Sequence, residues 1–323
     1  MMIRPLKVVF MGTPEFAATI LRRIAASQHQ VLAVVTVPDK PAGRGQKLTE
    51  SDVKVEACKL GIPVLQPTKL KDPEFIAELK QLGADVFVVV AFRMMPKEVW
   101  AMPPYGTFNL HASLLPHYRG AAPINWAIIN GDKASGNTTF FINEEIDTGK
   151  IIFQEELPIG ANELAGELHD RLMISGAELV VRTLDAIADG SAKPVEQPHT
   201  SDGAPLKQAP KIFKETCKIR WSESCSAVLN HIRGLSPYPA AWSTLQNTTT
   251  FEETAVKIFK VAIASEKGNL IPGKISTDGK SYIHVTTGEG IISIEELQLA
   301  GKKRLTTAEF LRGFKDIENF RFS

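Results

Sequence analysis

From Lys7 to Leu110 the chain alternates short, wholly apolar runs with segments of helical period, and this pattern narrows the possible folds more than any other feature. Lys7 to Met11 reads as a buried strand. Phe16, Ile20, Leu21 and Ile24 follow at helical spacing. Val31 to Val37 is a second buried strand, a helix at Asp52 to Leu60 ends at Gly61, and Pro63 to Leu65 is a third short strand. A helix from Phe75 to Leu82 closes at Gly83, Asp85 to Ala91 is the most apolar strand, and Gly106 to Leu110 is another. Strands apolar on both faces, joined through helices, predict a mainly parallel sheet covered on both sides. The expected α/β domain continues with a short helix at Ile124 to Ile129 and a strand pair at Thr138 to Ile142 and Ile151 to Gln154. A long helix follows, capped by Asn162 and reaching Ala188.

The texture changes after Gly190. Residues from about Ser191 to Pro210 are rich in Pro, Ser, Gly and Thr, and beyond them short alternating segments are separated by Gly and Asp turns. Val256 to Ile263, Gly273 to Ile275, Ser281 to Thr286 and Gly290 to Leu299 suggest a small β-barrel, with helices at Ser224 to Ile232 and Thr307 to Phe314. The expected division is a catalytic domain over 1–190, a linker over 191–207 and a barrel domain over 208–323. From Gln208 onward 16 Lys and Arg face 12 Asp and Glu, whereas the preceding part carries 21 against 24. This mild asymmetry is compatible with a basic module that touches nucleic acid, without establishing one.

Cys58, Cys217 and Cys225 form no C-x-x-C pair, which fits a reducing cytoplasm. The first apolar run, Val8 to Met11, is cut by Gly12-Thr13-Pro14 and is too short for a signal peptide. No run approaches the roughly 20 apolar residues of a membrane-spanning helix. A soluble, cytoplasmic monomer is expected.

Five segments are weighed for chemistry. The turn Met11-Gly12-Thr13-Pro14-Glu15 has one glycine and then a proline where a dinucleotide fingerprint needs a Gly-rich turn, so nothing here asks for NAD. Asn109 and His111 are two apart at the C-terminal end of a strand, so both point to one face at the edge where open α/β sheets bind ligands. An amide donor and an imidazole there suit a developing oxyanion and a proton. Those two residues alone leave open the plainer alternative of strand-end side chains satisfied by backbone. Asp147, in Glu145-Ile146-Asp147-Thr148-Gly149, reads as a turn aspartate capping its own backbone unless the fold brings it beside His111. There it would fix the imidazole tautomer and favour the imidazolium. The loop from Pro38 to Leu48, too rich in Pro and Gly for regular structure, carries Lys40, Arg44 and Lys47. It is either a solvated loop or a contact to a polyanion. Lys302-Lys303-Arg304 reads equally well as a solvated turn.

The stretch Asn109 to Gly120 combines Asn-x-His, Ser-Leu-Leu-Pro and Tyr-Arg-Gly, followed by Ala-Pro-Ile and, downstream, Asp147-Thr148-Gly149. This combination resembles the signature of folate-dependent formyltransferases and formyltetrahydrofolate hydrolases. Three further stretches resemble the members of that family that formylate methionyl initiator tRNA. They are Phe10 to Phe16, Pro38 to Gly45, and Ile232-Arg233-Gly234-Leu235-Ser236-Pro237-Tyr238-Pro239-Ala240-Ala241-Trp242. The resemblance implies a Rossmann-like N-terminal domain and a C-terminal barrel of the oligonucleotide-binding type. It implies 10-formyltetrahydrofolate as donor, methionyl initiator tRNA as acceptor, and no metal. It further implies that Asn109, His111 and Asp147 are catalytic and that Ser113, Leu114, Leu115 and Pro116 line the folate site. The loop around Arg44, with Lys40 and Lys47, would engage the acceptor end of the tRNA. Two stretches depart from the family pattern, Phe92-Arg93-Met94-Met95-Pro96 and Asn143-Glu144-Glu145-Ile146. Formyl transfer to an amino sugar nucleotide or to glycinamide ribonucleotide, and hydrolysis, are the rival chemistries. A non-catalytic RNA-binding module gives no reason for the three polar residues to coexist.

Overall fold

A computed structural model describes residues 4–42, 47–198, 205–266 and 271–323, the side chains of 41, 42 and 47 excepted. Arg44 and residues 199–204 lie outside that description. By packing, the chain forms two units: Met1–Gly120, Ser135–Leu157 and Asp170–Gln208 in the first, and Ala121–Ala134, Pro158–His169 and Ala209–Ser323 in the second. Residues 191–198 and 205–207 therefore pack with the first unit, and two insertions from the N-terminal half pack with the second.

The elements of the N-terminal half run β1 (Lys7–Gly12), α1 (Glu15–Ala25), β2 (Gln30–Val35), α2 (Asp52–Lys59), β3 (Val64–Leu65), α3 (Pro73–Gln81), β4 (Val86–Val90), α4 (Lys97–Trp100), β5 (Thr107–His111), α5 (Pro123–Ile129), β6 (Ala134–Phe141), β7 (Ile151–Pro158) and α6 (Ala165–Ala188). In the first unit the seven strands lie in the order β7-β6-β5-β4-β1-β2-β3. β1 pairs in parallel with β2 and β4, and β4 with β5, whereas β6 runs antiparallel to β5. Val8, Val9, Phe10 and Met11 are fully buried, as a strand covered on both faces requires. α1 buries Phe16, Ala17, Ala18, Ile20, Leu21 and Ile24 along one stripe. Ser51 caps α2 and Asp72 caps α3, which carries Pro73 in its first turn. The strand order reverses between β1 and β4, the kind of switch point beside which open α/β sheets bind ligands. Gly12 ends β1 because a Cβ there would lie 2.6 Å from the Ala17 Cβ and 2.9 Å from the Val90 carbonyl.

Two local expectations change. Asn162 does not cap α6, which begins at Ala165; the Glu163 carboxylate instead closes the preceding turn onto the Gly160 N–H at 2.7 Å. The Pro38–Leu48 loop, expected to be irregular, takes part in a short antiparallel pair, Lys40–Ala42 with Lys47–Thr49, in which Pro41, lacking an N–H, stands opposite Leu48. Its base is clamped by Asp39, which accepts from Lys54 Nζ at 2.5 Å and from Gln66 Nε2 at 2.8 Å. The Lys54 and Gln66 contacts hold the Asp39 carboxyl below the usual carboxylate range.

The fully buried His29 side chain accepts the Leu6 N–H on Nδ1 at 3.2 Å and reaches Asp185 with Nε2 at 3.1 Å. Burial pushes its pKa below the ordinary histidine value despite the aspartate. The unfolded chain therefore takes up this proton first, so stability is lost as pH falls through about 6.5, the unperturbed value. The melting temperature should drop between pH 7.5 and 5.5, and His29→Gln should flatten that slope. Identical slopes in both proteins would exclude His29 as a source of the dependence.

The second unit contains α5, then α7 (Cys225–Leu235), β8 (Ala241–Asn247), β9 (Glu253–Ser265), β10 (Ile275–Thr277), β11 (Ile283–Thr286), β12 (Ile291–Leu299), α8 (Thr307–Gly313) and β13 (Phe320–Phe322). Its strands lie in the order β10-β11-β12-β9-β8-β13. The first and last nearly close into a ring: Phe322 N–H donates to the Gly273 carbonyl at 2.9 Å, and Lys274 bridges to Arg321. This is the partly open, five- to six-stranded layout of an oligonucleotide-binding barrel. Val228, Ile232 and Leu235 of α7 share its core with Val256, Ile258, Ile294, Leu297 and Phe310. α8 begins with a capping box between Thr306 and Glu309. The Ile232–Trp242 stretch has a local structural role as well. Gly234 lets α7 approach α5, since a Cβ would lie 2.6 Å from Ile129 Cγ1. The buried Arg233 guanidinium donates to the carbonyls of Gly160 at 3.2 Å and Glu163 at 3.1 Å.

Candidate active site

β5 delivers Asn109 and His111 to the C-terminal edge of the sheet, between β4 and β6. Asn109 is half-buried, and among the described residues none hydrogen-bonds to its carboxamide. Its donors are thus available to a substrate. His111 is 7% exposed, and its Nε2 lies 2.8 Å from the Tyr118 carbonyl. A carbonyl only accepts, so Nε2 carries a hydrogen and Nδ1 is the nitrogen left for chemistry.

The fold brings Asp147 to His111: Oδ2 is 3.9 Å from Nδ1. That is ion-pair range for an imidazolium but too long for a hydrogen bond. The tautomer is accordingly set by the Tyr118 carbonyl and not by Asp147, which corrects the expectation for an Asp–His pair. Oδ2 itself accepts the Gly120 N–H at 2.9 Å. Asp147 has φ +56° and Tyr118 φ +61°, both left-handed. Such conformations cost about 1–3 kcal/mol each in a non-glycine residue and persist where the surroundings over-determine them. Gly149 is obligatory two residues on, because a Cβ would meet the Phe141 carbonyl at 1.7 Å. The Thr148 hydroxyl donates to Asn143 Oδ1 at 3.0 Å, bracing the same turn.

The loop after His111 is held by one internal hydrogen bond and by side chains of β6 and β7. The buried Ser113 hydroxyl donates to the His117 carbonyl at 2.8 Å, and Thr138 Oγ1 donates to the Ser113 carbonyl at 2.6 Å. Gln154 Nε2 donates to the Leu115 carbonyl at 2.7 Å. Leu115 packs with Phe140 and Ile151, Pro116 is buried, and Leu114 is half-buried. Lys97, the residue after the first departing stretch, pairs through Nζ with Glu144 of the second at 2.6 Å. Met94 is 73% exposed and Ile146 59% exposed. Lys40 is exposed, while Arg44 and the Lys47 side chain lie outside the described residues. Gln197 and Arg119 also belong to the site's frame, and spacing offers no signal for Gln197, which lies 50 residues from Asp147 in a stretch read as linker. Among the described residues, no group of three or more His, Cys, Asp or Glu could hold a metal ion, and no helix is long and apolar enough to cross a membrane.

Residues 6–184 match the formyl transferase family and residues 211–315 the formyl transferase C-terminal domain. The chain belongs to the formyl transferase family, as its parallel sheet and second barrel unit are consistent with. A methionyl-tRNA formyltransferase of Bacteroides thetaiotaomicron is 50% identical over 318 residues, 98% of each chain. One of Bacteroides fragilis is 51% identical over 316 residues, covering 98% of this chain and 97% of that one. Within the family, the chain therefore groups with the methionyl-tRNA formyltransferases. The fold is also shared by the N-formyltransferase of Helicobacter canadensis crystallised with folinic acid and dTDP-3-aminofucose. That structure has a TM-score of 0.63 at 21% identity and covers 93% of this chain and all of that one.

Proposed function

We propose that the enzyme transfers the formyl group of 10-formyltetrahydrofolate to the α-amine of methionyl initiator tRNA, yielding N-formylmethionyl-tRNA for translation initiation. The observation that carries the chemistry is the convergence of Asn109, His111 and Asp147 at one strand end, with the His111–Asp147 separation of 3.9 Å. Full-length identity near 50% to methionyl-tRNA formyltransferases supports the choice of acceptor.

The α-amine attacks the formyl carbon attached to N10, and the carbonyl oxygen becomes an oxyanion. The Asn109 amide and the imidazolium Nδ1–H of His111 donate to it, while Nε2–H stays on the Tyr118 carbonyl. The Asp147 carboxylate stabilises the imidazolium. As the C–N10 bond breaks, the attacking nitrogen loses a proton and N10 gains one, and Asp147 relays it. An amine is already a competent nucleophile, so positioning and oxyanion stabilisation supply most of the acceleration. Leu114 and the loop from Ser113 to Pro116 would border the folate.

For the acceptor, Lys40, Arg44 and Lys47 of the Pro38–Leu48 segment would contact tRNA phosphates. The second unit, 208–323 above all, presents a fitting surface: Lys211 lies over Phe213 at 5.7 Å, and Lys214 and Lys218 both lie 5.7 Å from the Trp242 ring. Cations set against one exposed ring, Phe213, and one half-buried ring, Trp242, suit phosphates and bases together. The enzyme would act in the cytoplasm as a monomer.

Formyl transfer to methionylated initiator tRNA, run beside an amino sugar nucleotide, tests this reading. Transfer to the sugar alone would retain the chemistry and remove the acceptor. Arg44→Ala should raise KM for the tRNA and shallow its salt dependence by about one phosphate contact, leaving KM for the folate unchanged. Unaltered tRNA kinetics across a salt series would exclude that contact.

A further inference from the structure

Both groups that flank His111 are themselves held by two short described pieces of chain, residues 195–198 and 205–207, which contain none of the residues assigned to catalysis above. Val195 pins the first piece to the sheet, exchanging backbone hydrogen bonds with Ile151 at 2.8 and 2.9 Å. Two residues later Gln197, 8% exposed, uses both ends of its carboxamide. Nε2 donates to the main-chain carbonyls of Asp147 at 2.8 Å and Gly149 at 2.9 Å. Oε1 accepts the Arg119 fork, from Nε at 3.1 Å and Nη2 at 2.5 Å. Arg119 is followed by Gly120, whose N–H holds the Asp147 carboxylate. Arg119, Gln197, Asp147 and Gly120 thus form a closed ring around the catalytic aspartate. In the second piece, the Lys207 carbonyl accepts the Tyr118 N–H at 2.6 Å, and the Tyr118 carbonyl accepts His111 Nε2. The two left-handed residues beside His111, Tyr118 and Asp147, are therefore the two that these pieces grip.

We infer that Gln197 is a positioning residue for formyl transfer, setting the Asp147 carboxylate against His111 Nδ1 from within the segment that leads to the second unit. The inference rests on the proposed reaction. A glutamine is suited to the place because it donates twice and accepts twice through one planar group. Glutamate would keep the acceptor for Arg119 but lose both donors to the Asp147 turn. Misplacement of a reacting group by about 1 Å costs on the order of 10²-fold in rate.

The test is single-turnover and steady-state formyl transfer to methionylated initiator tRNA by the wild type, Gln197→Ala, Gln197→Glu, Asp147→Ala and the Gln197→Ala/Asp147→Ala pair, each with a thermal melt. Gln197→Ala and Gln197→Glu should each lower kcat on the order of 10²-fold with KM for both substrates near wild type. In the Asp147→Ala background, Gln197→Ala should cost nothing further, because its effect runs through that carboxylate. A full additional loss in the double variant, a change confined to KM, or wild-type kcat in a folded Gln197→Glu protein would overturn the inference. A wild-type enzyme that leaves methionyl-tRNA unformylated would instead overturn the reaction on which it rests.

Discussion

Asn109→Ala and His111→Ala should each lower kcat by about two to three orders of magnitude, because each removes one donor worth about 2.7–4 kcal/mol to the oxyanion. The two substitutions differ in what else they disturb. The Asn109 carboxamide has no described protein partner, so its removal should leave the melting temperature unchanged. His111→Ala also strips the donor from the Tyr118 carbonyl at a buried position, so some stability should go with the activity. His111→Gln, which can still donate to that carbonyl, should recover stability without recovering turnover. Near-normal kcat in Asn109→Ala would remove the amide from the mechanism, whatever the result at His111.

The second large effect is expected in the other unit. Gly273 has φ +83° and stands where the barrel closes, and a Cβ there would lie 2.0 Å from the Phe322 carbonyl. Its N–H donates to the Thr286 carbonyl at 2.8 Å while its own carbonyl accepts from Phe322, so the residue joins β11 to β13. Gly273→Ala must both occupy a left-handed conformation, at about 1–3 kcal/mol, and push the last strand away. A total loss of roughly 3 kcal/mol or more follows, visible as a lower denaturant midpoint. Formylation of tRNA should fall with it. A midpoint equal to wild type would mean that the ring is held closed elsewhere.

The sheet was legible in the sequence because its strands are apolar on both faces and its helices carry an unbroken stripe. Val8 to Met11 and Val86 to Val90 have no other reasonable reading. The barrel was only partly legible. β9 and β12 alternate clearly, but β13 is the three residues Phe320–Phe322, too short for periodicity to register, and β8 follows a proline-rich stretch that masks its start. Asn109 and His111 are readable from strand period alone. Asp147 is readable only through the motif, since nothing in the 35 intervening residues says that the chain returns to His111. Gln197 and the Tyr118 carbonyl are harder still: one lies in a stretch whose composition suggests a linker, and the other is a backbone group that no side-chain pattern reveals.

The family match splits the chain at about residue 200, yet packing does not respect that seam. α5, residues 158–169 and α7 belong to one unit, with Gly234 pressed on Ile129 and Arg233 satisfying carbonyls at Gly160 and Glu163. The barrel is for this reason not a portable module. A fragment begun at residue 208 would leave the α5-facing side of α7 bare and the Arg233 guanidinium with neither carbonyl, and grafting it onto another catalytic half would require the foreign half to supply both insertions. Recombination between relatives would thereby require partners that carry the matching segments.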